Sequence, residues 1–323
     1  METIIPTHFV GNAARGAQLD QHYSASEAKR LLQIELPLLS KLRDVVGCTI
    51  STRQNSSQRR LLYDAERIDQ IVFDLERSVY QWQFWERFRL PSYAVEQLAC
   101  LSVIEAIMDP AVILLRKEAV IPRRELESLT QKIMARRQQT QVLQTAVSLR
   151  VLANGIGGKL KPWGPIYQSL TNGDLPFWLK AGGASTRHIF IDRQDWDDLG
   201  PISFDASKFA TFPFKTEMNN CDMSEVLNLQ PREARAIRSA GLLSTKTYKR
   251  SVRYQVDEVL ELSRKWVSMT ELMRRTGRSD RPIRQRLIAA KVHCMAGLWE
   301  REYAEAVSIL GHIKRERQPA LVG

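Results

Sequence analysis

Five prolines divide this chain more decisively than any other feature of its sequence. Proline lacks an amide hydrogen and clashes with the preceding turn, so a helix accepts it at its first position and rejects it from the interior. Before each of the five runs a short amphipathic segment that opens with serine: Ser26–Leu32 before Pro37, Ser92–Ala99 before Pro110, Ser148–Ala153 before Pro162, Ser224–Leu227 before Pro231, and Ser268–Met273 before Pro282. Serine is a natural N-cap, and Glu27, Glu225 and Glu271 put an acid in the first turn of three of these segments, where it offsets the helix dipole. The pattern predicts five pairs of short helices, the second of each pair opened by its proline. Successive prolines lie 73, 52, 69 and 51 residues apart, the size of small trihelical modules.

A second signal follows three of the pairs. Gly47, Gly173 and Gly241 stop the second helix, and after a polar stretch come three eleven-residue segments, Leu61–Ile71, Ile189–Leu199 and Val252–Leu262. All three are apolar or aromatic at positions 1, 3, 8 and 11; the first two of these positions alternate like a strand and the last two are spaced like a helix. Two helices, a returning strand and a further helix make a winged helix-turn-helix. The expected fold is mainly α: tandem helix-turn-helix and winged-helix modules with short β-wings. Residues 1–23 are expected to form an N-terminal arm, 24–79 winged unit one, 80–140 helical unit two and 141–200 winged unit three. A linker over 201–221, winged unit four over 222–265, helix-turn-helix unit five over 266–312 and a basic tail over 313–323 complete the order. Units two and five lack the strand-helix segment and are expected to be plainer. The aromatic run Tyr80–Leu90 is expected to dock units together, and Gly200–Asn220 to be an ordered connection.

Charge is distributed unevenly. The chain carries 47 Lys and Arg against 36 Asp and Glu, a net charge of +11. Residues 1–90 hold twelve basic and eleven acidic groups, 91–221 fifteen and thirteen, and 222–323 twenty and twelve. Such a surface attracts polyanions, nucleic acid first. Cys48, Cys100, Cys221 and Cys294 are far apart, without the paired spacing of a zinc ribbon or disulfide framework, and are expected to be reduced and mostly buried. The most apolar stretch, Val95–Leu115, contains Glu96, Glu105 and Asp109, which hydrocarbon would penalise, so no membrane association is expected.

In a helix-turn-helix the second helix enters the major groove and the wing reaches backbone or minor groove. Arg232, Arg235 and Arg238 recur every three residues after Pro231, and Lys246, Lys249, Arg250 and Arg253 fall on the wing of the same unit. Around Pro282 stand Arg278, Arg281, Arg284 and Arg286, and unit one offers Lys41, Arg43, Arg53, Arg59 and Arg60. These are the candidate DNA-binding residues. A solvated charged face is the plain alternative for any one of them, yet Glu233 has only Ala236 and Ile237 at pairing distance downstream. Unit three is different: after Lys159 and Lys161 its second helix is uncharged, Trp163–Leu170, which suits a protein contact. No catalytic residue, metal or cofactor is expected. Asp192, Asp195, Asp197 and Asp198 fit helix-start acids better than a metal cluster. The five histidines show no ligand spacing, and Gly155–Gly158 lacks the lysine of a phosphate loop.

The serial units, with segments such as Ser224–Leu229, Ala240–Leu243 and Tyr254–Val259, resemble the C-terminal part of the TniQ family of transposition target-selection proteins, and also excisionase and MerR-type winged modules. The resemblance spans residues 24–310; the family's N-terminal zinc-binding Cys/His domain has no counterpart here. It implies a double-stranded DNA-binding adaptor of a mobile element, in a prokaryotic cytoplasm at the nucleoid, which engages transposition proteins such as an ATP-dependent regulator and has no catalysis of its own. The alternatives are a transcriptional regulator built from the same modules and a helical protein-interaction scaffold.

Overall fold

The computed structural model describes residues 22–43, 45, 50–55, 58–180, 183–248 and 251–309. In chain order the first module comprises β1 (His22–Ser24), α1 (Ala25–Leu32), α2 (Leu36–Arg43), β2 (Ile50–Asn55), β3 (Gln58–Asp64) and α3 (Ala65–Glu76). The second holds β4 (Ser78–Val79), α4 (Gln81–Phe88), α5 (Ser92–Cys100), α6 (Pro110–Arg116), β5 (Ile121–Pro122) and α7 (Arg124–Arg136). The third is β6 (Ala146–Ser148), α8 (Leu149–Ala153), α9 (Trp163–Asn172), β7 (Trp178–Leu179), β8 (Ile189–Asp192) and α10 (Arg193–Asp198). The fourth follows as β9 (Glu217–Asn219), α11 (Asn220–Val226), α12 (Pro231–Ser239), β10 (Thr245–Tyr248), β11 (Ser251–Gln255) and α13 (Val256–Lys265). The fifth is β12 (Trp266–Ser268), α14 (Met269–Thr276), α15 (Asp280–Ala289), β13 (Cys294–Met295), β14 (Leu298–Glu300) and α16 (Arg301–Ile309). The fold is mainly α with small antiparallel sheets.

Modules one, three, four and five share one topology. Each has a three-stranded antiparallel sheet with the last strand in the centre, orders β1-β3-β2, β6-β8-β7, β10-β11-β9 and β12-β14-β13. Their register is the same. The residue that caps the first helix pairs with the second residue of the strand-helix segment, and the apolar residue before the cap pairs with the third. The pairs are Ser24↔Leu62 with Tyr23↔Tyr63, Ser148↔Phe190 with Val147↔Ile191, Asn219↔Arg253 with Met218↔Tyr254, and Ser268↔Leu298 with Val267↔Trp299. Because a one-residue slip would turn every strand side chain to the other face, a buried aromatic or aliphatic residue at this point fixes the pairing. Tyr63, Ile191, Tyr254 and Trp299 are all buried.

The fifth module is therefore winged, against the expectation of a plain unit. Its strand-helix segment begins at Gly297, with Trp299, Ala304 and Val307 at positions 3, 8 and 11. Glycine at the first position and alanine at the eighth hide the periodicity. Gly297 is needed there: the β13–β14 hairpin turns through Ala296 and Gly297, with φ of 52° and 87°, the left-handed pair that a two-residue hairpin demands. The second module lacks a wing, as expected, but its helices lie elsewhere than the prolines suggest. Ser92 opens its second helix, α5, and Pro110 opens the additional helix α6.

Several helix starts also shift. The first helices are capped by Ser24 and Asn219, not Ser26 and Ser224. Ser24 forms a capping box with Glu27, Asn219 accepts from the amides of Cys221 and Asp222, and Ser224 lies inside α11. Ser148 and Ser268 are N-caps as read. Glu225 is not in a first turn. His22 and Tyr23, read as arm, belong to a sheet, and Glu217–Asn219, read as linker, form β9. Gly47 and the tail over 313–323 lie outside the described residues.

The chain divides into two compact units, Met1–Ser78 with Ile107–Val120 and Val79–Ala106 with Ile121–Gly323. In the smaller unit α1, α2 and α3 bury Ala28, Leu32, Leu39, Leu42, Ile68 and Ile71, and α6 adds Ala111 and Val112 to that core. Asp109 caps α6 and pairs with Arg67 of α3 at 2.5 Å. The larger unit is knitted together by α9, whose Trp163, Ile166, Tyr167 and Leu170 are fully buried. Gly164 makes the crossing with α5 possible: a Cβ there would lie 2.7 Å from that of Gln97. Gln97 holds both sides, accepting from the Gly164 amide at 2.9 Å and donating to the Lys161 carbonyl at 3.1 Å. The run Tyr80–Leu90 forms α4, which packs Phe84, Phe88 and Leu90 inward and leaves Trp82 exposed. In the connection to the fourth module, Phe204, Phe209, Phe212 and Phe214 make ring contacts with one another.

Candidate nucleic-acid interface

α12 is set by its ends and its buried stripe. Pro231 stands at its first position, and the Glu233 carboxylate accepts from the Gln230 amide at 2.8 Å. Ala234 and Ile237 are buried, which turns Arg232, Arg235 and Arg238 outward. All three are exposed and none forms an ion pair among the described residues. Of the wing that follows, β10 is exposed along its whole length. Lys246 on β10 is bound to Glu217 of β9 at 3.0 Å, and Arg253 on β11 is half-buried. The Lys246 hydrogen bond holds Glu217 below its ordinary carboxylate pKa. Lys249 and Arg250 lie outside the described residues.

α15 repeats the design in the fifth module. Ile283 and Leu287 are buried, leaving Arg281, Arg284, Gln285 and Ile288 on the outward side, with Arg278 in the preceding turn and Arg286 also exposed. Arg278, Arg281 and Arg286 form no ion pair among the described residues. Arg284 does: its Nε and Nη2 donate to the two carboxylate oxygens of Asp280 at 3.0 and 3.1 Å. Gln285 and Ile288, the latter 62% exposed, share this face at one-turn and two-turn spacing from Arg281. They were not singled out from the sequence, although their offset from the apolar pair Ile283 and Leu287 carries that signal.

The fourth and fifth modules meet beside these helices. A Cβ on Gly297, in the fifth wing, would lie 3.8 Å from Cγ of Glu233 on α12. The Arg284 guanidinium is held above its ordinary pKa chiefly by the hydrogen bond to Asp280, with a smaller contribution from Glu233. One acid of α12 thus faces the second helix and the wing of the next module, so the two arginine-bearing helices are neighbours.

The other predicted residues lie on other elements. α2 of the smaller unit buries Leu39 and Leu42 and exposes Lys41 and Arg43. Arg53 lies on β2 and Arg59 and Arg60 on β3; the disposition of their side chains lies outside the described residues. In the third module Lys161 is fully buried, its Nζ donating to Oε1 of Glu225 at 2.7 Å and to the Glu225 carbonyl at 2.8 Å. Tyr93 donates to the same carboxylate, and Arg150 stands 3.8 Å away. Burial drives the Glu225 carboxyl upward, but the Lys161 and Arg150 charges outweigh it and hold the group below its usual range. Glu271 is a second buried acid, bound by Arg301 at 2.6 Å and Arg275 at 2.8 Å, and Gly157, in the loop once compared with a phosphate loop, abuts it. Arg301 and Arg275 are therefore structural.

Of the aspartates, Asp192 caps α10 and Asp195 lies in its first turn, whereas Asp197 and Asp198 end that short helix and carry no capping role. Among the described residues no group of three or more His, Cys, Asp or Glu could hold a metal ion. Cys221 and Cys294 are exposed and Cys100 half-buried, which corrects the expectation of mostly buried thiols; Cys48 lies outside the described residues. No described helix is long and apolar enough to cross a membrane. No family model, curated protein or solved structure matches the chain.

Proposed function

We propose that this chain binds double-stranded DNA through the second helices of its fourth and fifth modules and performs no chemistry on it. The observation that carries the reading is the placement of six outward arginines, Arg232, Arg235, Arg238, Arg278, Arg281 and Arg286, on or just before α12 and α15, second helices linked through Glu233, with no acid partner among the described residues. In a winged helix-turn-helix this helix faces the groove, where arginines contact guanine edges or phosphates. The partly buried Arg150, Arg275 and Arg301 lie against Glu225 and Glu271, whereas the outward set has no such acid among the described residues. With the TniQ resemblance, the reading becomes a target-site adaptor of a mobile element that hands its site to transposition proteins, among them an ATP-dependent regulator.

Phosphate contacts release counterions, so binding that uses six or more such groups falls roughly a thousand-fold between about 50 and 200 mM salt. Changing Arg232, Arg235 and Arg238 together to alanine lowers the slope of log K against log salt by up to about three units. An equilibrium titration of labelled duplex across salt concentrations tests this. A flat salt response of the native chain refutes DNA binding, and an unchanged slope in the triple variant refutes α12 as a contact.

A further inference from the structure

Well-packed interiors leave few voids larger than a water molecule. The larger unit nevertheless holds a cavity of about 370 Å3, partly open to solvent, between α5 of the second module and β9, α11 and α13 of the fourth, within the size range of small-molecule pockets. Leu160, Phe204, Phe214, Val256 and Leu260 make its wall, Phe204 and Phe214 coming from the aromatic connection that roofs it. At its buried end stand Glu96 and Asp222, each with its own donor: the Lys215 amide at 3.2 Å for Glu96 and the Ser92 amide at 2.8 Å for Asp222. At the other end Lys159 and Arg264 are exposed, and neither forms an ion pair among the described residues.

We propose that this cavity binds a small amphipathic carboxylate, whose apolar chain or ring lies against the aromatic and aliphatic wall and whose head group pairs with Lys159 and Arg264. The polarity of the site sets the orientation. The acids at the buried end already accept backbone donors, and burial pushes the Glu96 carboxyl up to about 7, so that end does not attract charge. An anion at the rim keeps partial hydration and meets two cations that form no ion pair among the described residues, Lys159 exchanging its hydrogen bond to the Ile202 carbonyl, at 3.3 Å, for a charged one, while its apolar part leaves water. An amine would find Glu217, also in the lining, already bound to Lys246 at 3.0 Å, and would have to carry its charge past the apolar wall to reach Glu96. The site is independent of DNA binding, yet α13 and β9 frame the module that carries α12, so occupancy would stiffen the support of that helix.

The test is calorimetric titration of the full chain with decanoate and, separately, decylamine, both below micelle formation. The expected result is saturable binding of one decanoate per chain and weaker or no binding of the amine. Reversing both rim charges, Lys159→Glu with Arg264→Glu, changes only exposed side chains and weakens decanoate at least about tenfold, the worth of one charge-assisted contact. Leu260→Trp, which fills the cavity, removes binding while the circular dichroism of the folded chain persists. Absence of saturable decanoate binding, tighter binding of the amine, or full decanoate affinity in the charge-reversed variant each overturns the proposal.

Discussion

The third and fourth modules have one topology and one strand register, and they put their second helices to opposite uses. α9 carries Trp163, Gly164, Ile166, Tyr167 and Leu170 and is swallowed by the larger unit. α12 carries arginine at 232, 235 and 238, buries only Ala234 and Ile237, and stays outside. Even the cation nearest α9 is recruited inward, since Lys161 is consumed by Glu225 at 2.7 Å. A module's scaffold therefore does not decide what its second helix does; the side chains on the face turned away from the module's own core decide it. Substitutions around α9 should change stability without touching the salt dependence of DNA binding, and substitutions on α12 and α15 the reverse.

The largest effect is expected at Lys161. Replacing it with alanine leaves the Glu225 carboxylate buried with the Tyr93 hydroxyl and, at 3.8 Å, Arg150, and breaking a buried ion pair costs about 3–5 kcal/mol. Denaturant unfolding of Lys161→Ala should show that loss, with the salt slope of any remaining DNA binding unaltered. A changed slope at constant stability would erase the distinction between the two helices.

A smaller effect lies on α5, against which α9 packs. Glu96 is pushed up to about 7 by burial, against the pull of Lys215, whereas an unfolded glutamate titrates near 4.3. The folded chain thus binds this proton more tightly. The stabilisation it provides is complete below about pH 4 and is lost as pH rises through about 7, an effect of up to a few kcal/mol. Native chain should lose more stability than Glu96→Gln between pH 5 and pH 8, measured by denaturant midpoints. Equal losses would place Glu96 in contact with water.

How far these features could be read from sequence depends on what kind of signal each one leaves. The strand-helix segments of modules one, three and four are legible because a strand residue and a helix residue both face one core, leaving apolar marks at fixed offsets. The fifth is illegible because Gly297 serves the hairpin and Ala304, although fully buried, is too small to mark its position as apolar. The capping role of Asn219 is masked by Ser224 five residues later, an equally good cap by chemistry that here donates its hydroxyl to the Asn220 carbonyl at 2.7 Å. α6 is misassigned because Asp109 and Pro110 form an ideal helix start, and local chemistry is silent about which core the helix joins. The arginines of α12 and α15 were legible as a set. Which of the candidate cations are neutralised is less legible, because the partner of the wing's Lys246, Glu217, comes from another strand; Asp280, four residues before Arg284, is the exception that spacing alone reveals.

That exception gives the smallest and most discriminating effect, within α15 itself. Arg281 and Arg284 share one exposed face, and only Arg284 is held in a two-point contact, by Asp280. Both partners are about half exposed, so the pair is worth well under 1 kcal/mol to folding, but it presents a neutral group where Arg281 presents a charge. Arg281→Ala should therefore lower the salt slope by about one unit, and Arg284→Ala by clearly less. Asp280→Asn should raise DNA affinity by releasing Arg284 and removing a charge that repels phosphate. Because it also takes an acid from the first turn of α15, it should cost about 0.3–1 kcal/mol of stability. Tighter binding by a less stable protein separates a phosphate-facing helix from a merely solvated one: on a solvated face the stability cost would appear alone, and α15 would join α9 as a helix with no role in holding DNA.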